Sequence, residues 1–348
     1  MNTYQMKPAI LKTKAICWTT WLVLFMTLIA VGCASVVTAA ENQIVAPGGG
    51  LKVIVSDAGG LNYRVEVDGK TVLTNSPLGL EFQDGARLGP YAVITEVSKN
   101  KHYGEWENPF GKRRSVRDDW RELRLTLEEH GTTVRTFGLI VRAYDNGVAF
   151  RYELPEASKL GHFMLTKELT EFRFAGDSRC WFGEESPCAE NHYPEARLST
   201  IPPGKRNTLP LLVETSAAYI AVTEADLLDW AGMFTTGTGS SRIGVKLASR
   251  NNWNGLVVSD APRVSPWRVL MIGRTAADLV NSDLIANLAT PNRLGDVSWV
   301  KPGVCAWDPW WTGVNTNLPQ FTDSTREATQ LRKRNTSASR RRWAGRIN

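Results

Sequence analysis

Histidine and cysteine are scarce in this chain, with four His and five Cys among 348 residues. His102, His130, His162 and His192 stand far apart, and no two have a metal-ligand spacing, which argues against a zinc site. No Gly-x-Ser-x-Gly segment is present, so the strand–turn–helix that presents a hydrolase serine has no support. No tandem repeat recurs, which argues against solenoids and propellers. Acidic residues are missing from both ends. Residues 1–40 carry Lys7, Lys12 and Lys14 and no acid, and residues 331–348 carry Arg332, Lys333, Arg334, Arg340, Arg341, Arg342 and Arg346 and no acid. These basic ends account for more than the whole net charge of +6. The body of the chain is therefore mildly acidic, and nucleic acid is not an expected partner.

What the chain does have begins with a targeting pattern. A lysine-bearing start precedes an uncharged run from Ile16 to Ala40, and Val37-Thr38-Ala39 fits a small-residue cleavage site. The expectation is a signal peptide over residues 1–40 and export to the periplasm or medium. The alternatives are a membrane tether through residues 16–40, since the run exceeds the roughly 20 residues a helix needs to span a bilayer, or lipidation at Cys33. With Cys17 and Cys33 removed, Cys180, Cys188 and Cys305 remain. Cys180 and Cys188 either close a small loop in an oxidising compartment or stay as buried thiols.

From Gly50 the apolar residues alternate with period two. Leu51, Val53 and Val55 form one run, and Leu61, Tyr63, Val65 and Val67 the next. Asp68-Gly69 is a hairpin turn into Val72 and Leu73. Leu123, Leu125 and Leu127 alternate again, Gly131 turns, and Phe137, Leu139 and Val141 return. Asp145-Asn146-Gly147 turns into Val148, Phe150 and Tyr152. Runs at Leu209–Val213 and Tyr219–Val222 carry the pattern to about residue 270. The spacing predicts a mainly β, antiparallel sandwich over residues 41–270. Gly111-Lys112-Arg113-Arg114 reads as a solvated loop. Thirteen Trp is a high count, compatible with sugar stacking, although core packing accounts for most tryptophans.

After the strand-like run Val269–Ile272 the period changes. Thr275 caps a helix, Asp278 stands three residues on, and Val280, Leu284 and Leu288 recur at i, i+4 and i+8. One linker helix ending at Pro291 is expected. A short run from Gly303 to Trp307 then closes in Trp307-Asp308-Pro309-Trp310-Trp311.

Several segments together carry a resemblance. Ser76-Pro77-Leu78-Gly79-Leu80, the stretch Arg142 to Tyr152, Thr223-Glu224-Ala225-Asp226-Leu227, Pro266-Trp267-Arg268-Val269 and Trp299-Val300-Lys301-Pro302-Gly303 resemble glycoside hydrolase family 97, in that order, over roughly residues 45–320. That family includes starch-utilisation α-glucosidases and related α-galactosidases. The resemblance implies a β-super-sandwich of galactose mutarotase type, then a catalytic (β/α)8 barrel. It implies exported, Ca²⁺-using enzymes that attack α-glycosides or oligosaccharides with paired carboxylates. Inverting members use a Glu base, retaining members an Asp nucleophile, and both a Glu acid.

On this resemblance residues 271–330 hold the linker helix and the first strand of an incomplete barrel. Residues 331–348 read as a frameshifted or disordered basic tail. No catalytic carboxylate is expected within the chain, which is then expected to be inactive. Glu190-Asn191-His192-Tyr193, followed by Leu198-Ser199, matches a family segment whose Glu binds Ca²⁺, so Glu190 is the implied metal ligand, with Glu184, Glu185 and Glu195 as nearby alternatives. Calcium takes six to eight oxygens, so Glu190 needs partners. Trp307 and Asp308 are implied to bind substrate, because the C-terminal ends of barrel strands line active sites. Pro309 departs from the family's Trp-Asp-Trp-Trp. Two other readings remain: a non-catalytic carbohydrate-binding β-sandwich, and a membrane-tethered structural domain.

Overall fold

The computed structural model of the chain describes residues 41–109, 111–186, 190–248 and 256–301. The strands, in chain order, are β1 (Asn42–Val45), β2 (Leu51–Ser56), β3 (Asn62–Val67), β4 (Lys70–Pro77), β5 (Leu80–Phe82), β6 (Arg87–Leu88), β7 (Ala92–Glu107), β8 (Ser115–Glu129), β9 (Arg135–Tyr144), β10 (Gly147–Leu154) and β11 (His162–Glu168). They continue as β12 (Glu171–Arg173), β13 (Arg179–Trp181), β14 (Glu195–Arg197), β15 (Leu211–Glu214), β16 (Tyr219–Ala225), β17 (Met233–Gly237), β18 (Arg242–Leu247), β19 (Val257–Asp260), β20 (Arg263–Val264) and β21 (Trp267–Gly273). All pairings between these strands are antiparallel.

A ten-stranded sheet runs in the order β14-β13-β15-β16-β21-β10-β9-β8-β7, with β20 attached to β10. Three smaller sheets accompany it: β1-β2-β3-β4, β19-β11-β5-β6 and β12-β18-β17. The period-two residues make the core between them. Leu51, Val53 and Val55 of β2 share one buried cluster with Leu123, Leu125 and Leu127 of β8 and with Phe137, Leu139 and Val141 of β9. The rings of Tyr63 and Phe150 lie 4.9 Å apart across that core. Each such fully buried side chain contributes about 1.5–3 kcal/mol. At the β3–β4 hairpin Asp68 and Gly69 both take positive φ, 49° and 76°, as the type I′ turn requires. The mainly β antiparallel sandwich expected from the alternation is the observed architecture.

The single linker helix is not. The segment forms two short helices, α1 (Ala276–Val280) and α2 (Leu284–Leu288). The cap is as expected: Thr275 Oγ1 accepts from Asp278 N, and Asp278 answers to the Thr275 backbone. The helix breaks at Asn281-Ser282-Asp283, residue types whose side chains bond locally and compete with helix propagation. Ser282 Oγ accepts the Leu284 N–H and the Asn146 side chain. The break turns Leu284 and Leu288 onto Trp267 and Val269 on the outer face of the large sheet, while Val280 stays 68% exposed.

The basic loop is also more than a solvated turn. Lys112 donates to the Val280 carbonyl, and Arg113 donates to the Asn281 carbonyl at 2.9 Å and to Asp283. The tip of the β7–β8 hairpin thus satisfies the open carbonyl end of α1 and meets its partial negative charge.

The compact unit that holds the sandwich runs through Pro291, and the residues after it form a second unit. Of that second unit, residues 292–301 are described; they contain turns and no helix or strand, with Trp299 exposed. No helix among the described residues is long and apolar enough to cross a membrane.

Candidate functional site

Four of the five segments that carry the resemblance meet at one buried polar network, through Gly79, Tyr152, Glu224 and Arg268. Arg268 lies on β21 in phase with Leu270 and Ile272, so it points into the sandwich rather than out to water. Its Nε donates to Glu168 Oε1 at 2.9 Å, its Nη2 to Glu168 Oε2 at 2.5 Å and its Nη1 to Glu224 Oε2 at 2.8 Å. Both Arg268 and Glu168 side chains are wholly buried. Glu224 also accepts the Met233 N–H. Burial pushes the Glu224 carboxyl above its ordinary pKa, against the pull of Arg268. Beside this pair Tyr152 Oη accepts the Gly79 N–H at 2.8 Å and shares a bond with Thr170 Oγ1 at 2.8 Å. Burial raises that phenol too. One guanidinium between two carboxylates, every strong donor engaged, is an arrangement that fixes sheet against sheet.

The opposite face of the ten-stranded sheet carries a stack. The Arg151 guanidinium lies 4.3 Å from the Trp267 ring, Arg142 lies 4.9 Å from Trp267 and 4.2 Å from Trp120, and Trp120 stacks on His102 at 5.3 Å. Glu122 holds Arg142 at 2.9 Å. Asp226, held in the left-handed region at φ 56°, accepts both the N–H and the hydroxyl of Thr290 at 2.8 Å, and Arg151 lies 3.7 Å away. The chain is thereby pinned one residue before it leaves the sandwich unit. Reading the sequence missed Glu168 and the Thr290 pin. The signal for Arg268 and Glu224 was present: each is a charge in the core phase of an apolar strand.

The implied metal ligand, Glu190, is exposed, in the loop between β13 and β14. In that loop Tyr193 bonds Thr208 Oγ1 at 2.8 Å, Glu185 is paired with Arg206, and Asn191 reaches the Glu184 carbonyl. Among the described residues no group of three or more His, Cys, Asp or Glu side chains is placed to hold a metal ion. The residues described therefore do not fit a complete calcium site. Trp307 and Asp308, the leader and the basic tail lie outside the described residues, as does Cys188. Cys180 is a free, wholly buried thiol, with burial raising its pKa to about 11.

These features define an antiparallel β-sandwich domain bolted by a buried Arg–Glu network, with Thr290 pinned to its outer face. The family described as "Glycosyl-hydrolase 97 N-terminal" matches residues 44–291, and the chain belongs to that family. A retaining alpha-galactosidase of Bacteroides thetaiotaomicron is 23% identical over 328 residues, 85% of this chain and 48% of the relative. A probable retaining alpha-galactosidase of Streptomyces bingchenggensis is 30% identical over 258 residues, 73% of this chain and 38% of the relative. Among solved structures, a family 97 enzyme of Pseudoalteromonas sp. strain K8 in complex with panose superposes with a TM-score of 0.70 at 33% identity, covering 75% of this chain and 40% of that one. A beta-arabinopyranosidase superposes at 0.60 with 25% identity, covering 68% of this chain and 40% of that one. The chain spans about half the length, or less, of the relatives it matches.

Proposed function

We propose that this chain is the scaffold half of an exported α-glycosidase acting on α-glycosides or oligosaccharides. The observation that carries the reading is the family match over residues 44–291, together with relatives more than twice as long as the stretches they share with this chain, named as a retaining and a probable retaining alpha-galactosidase. In this reading the sandwich contributes rigidity. Catalytic groups must be held within fractions of an ångström, and a packed β domain welded at Arg268 supplies a base that does not yield. Glu190 contributes one carboxylate to a calcium site completed by oxygens from outside the described residues, and residues 1–40 direct export. Trp307 and Asp308 contact substrate.

A chimera tests the reading. The chain through Pro291 is joined to the part of the Streptomyces relative that follows its own sandwich. Release of nitrophenol from a p-nitrophenyl α-galactoside is expected, with Arg268→Met lowering the yield of folded enzyme. A folded chimera without activity, beside an active parent, would count against a scaffold role.

A further inference from the structure

Strand β7 ends the ten-stranded sheet among the described residues, and its residues from Thr95 to Tyr103 are all exposed. Sixteen residues is long for an open edge, which proteins ordinarily shorten or cover. The β7–β8 register runs without interruption from Glu96↔Thr126 to Glu107↔Ser115, and on the next rung Asn108 N donates to Arg114 O at 2.7 Å. Hydrogen-bonded positions alternate along an antiparallel ladder. The even-numbered residues from Ser98 to Trp106 therefore turn their backbone groups to β8. Lys99, Lys101, Tyr103, Glu105 and Glu107 turn theirs outward, to the open edge.

The side chains of those five residues share one face, and they read Lys, Lys, Tyr, Glu, Glu. Their charge reverses about Tyr103. A second copy laid antiparallel along β7, with its two-fold axis at Tyr103, sets Lys101 against the partner's Glu105 and Lys99 against the partner's Glu107, each twice, and Tyr103 against the partner's Tyr103. An axis at Lys101 would set that lysine against itself, and an axis at Glu105 would do the same to the glutamate. Among the described residues Lys99 and Lys101 have no ion pair, and Glu107 is engaged only by a largely exposed Arg114 at 3.3 Å. Such an exposed pair holds its partner weakly. We infer that β7 is a homodimerisation edge, an isologous strand-to-strand contact whose register is set by these opposed charges.

Sedimentation velocity on the full chain over a concentration series tests this. A reversible dimer is expected. Lys101→Glu and Glu105→Lys each place like charges opposite one another twice, and each weakens the dimer roughly tenfold or more. Mixing the two variants in equal amounts restores the dimer, because each supplies the charge the other lacks. Lys101→Pro removes an outward N–H while leaving the β8 ladder intact, as edge strands tolerate, and also abolishes pairing. Circular dichroism and thermal unfolding check that each variant is folded; where the proline variant is not, the mixing experiment still decides. A chain that stays monomeric throughout overturns the inference. So does a dimer indifferent to the reversals, or a mixture no tighter than either variant alone.

Discussion

Arg268 and Glu168 meet as a two-pronged ion pair, 2.9 and 2.5 Å, from strands 100 residues apart in sequence, with neither side chain reached by water. One strand belongs to the ten-stranded sheet and the other to a four-stranded sheet. The pair therefore measures whether the two are docked. Breaking it takes two of the three carboxylate bonds from a buried guanidinium and leaves Glu224 to hold it alone, a loss far larger than that of a surface bridge. Glu168→Ala is expected to lower unfolding stability by about 3–5 kcal/mol. Guanidinium-induced unfolding followed by tryptophan fluorescence gives the value. A loss of a few tenths would mean that the sheets are held without this bolt.

Glu224 gives the network a pH dependence of definite sign. Burial raises its folded pKa above the ordinary carboxylate value, so the folded state favours the protonated form more than the unfolded state does. The contribution is fully present below the unfolded pKa and is lost as pH rises through the raised folded one. Glu224→Gln does not titrate. Its stability relative to wild type should improve as pH rises from the ordinary carboxylate range toward neutrality. Thermal melts of both proteins across that window check the sign, and parallel curves would contradict it.

Cys180 is predicted to be inert. The thiolate is the reactive form, and a wholly buried thiol with its pKa raised to about 11 offers little of it. Alkylation with iodoacetamide followed by peptide mass mapping should leave Cys180 unmodified in the native chain and modified after denaturation. Labelling of Cys180 under native conditions would show that β13 opens.

The sandwich was legible where its strands alternate without interruption. Leu51 to Val55 and Leu123 to Leu127 declare one buried face each, and Asp68-Gly69 declares its turn. Glu168 was not legible. The register of β11 shifts between Leu165 and Lys167, so the inward phase passes from odd to even residues and brings Glu168 inside in place of Lys167. Alternation carried across that bulge points the wrong side chain into the core. The helix break at Asn281–Asp283 was hidden for another reason. The i, i+4, i+8 spacing of Val280, Leu284 and Leu288 is helical whether or not the helix is continuous. What divides it is the local bonding at Asn281-Ser282-Asp283, and the carbonyls this frees are met by Lys112 and Arg113, about 170 residues upstream. The long polar strand β7 has no apolar alternation to announce it, since its sides face water.

The proposal most in need of a test is that residues 44–291 act as a scaffold and that the hydrolytic carboxylates lie outside them. Glycoside hydrolysis uses two carboxyl groups fixed about 5–5.5 Å apart for retention or 6.5–9.5 Å for inversion. The most direct measurement is nitrophenol release from p-nitrophenyl α-galactoside and α-glucoside by the purified 348-residue chain, with and without calcium. The account predicts no release above the buffer rate in either condition. Calcium-stimulated release that survives repurification would contradict it and place a complete active site within this chain.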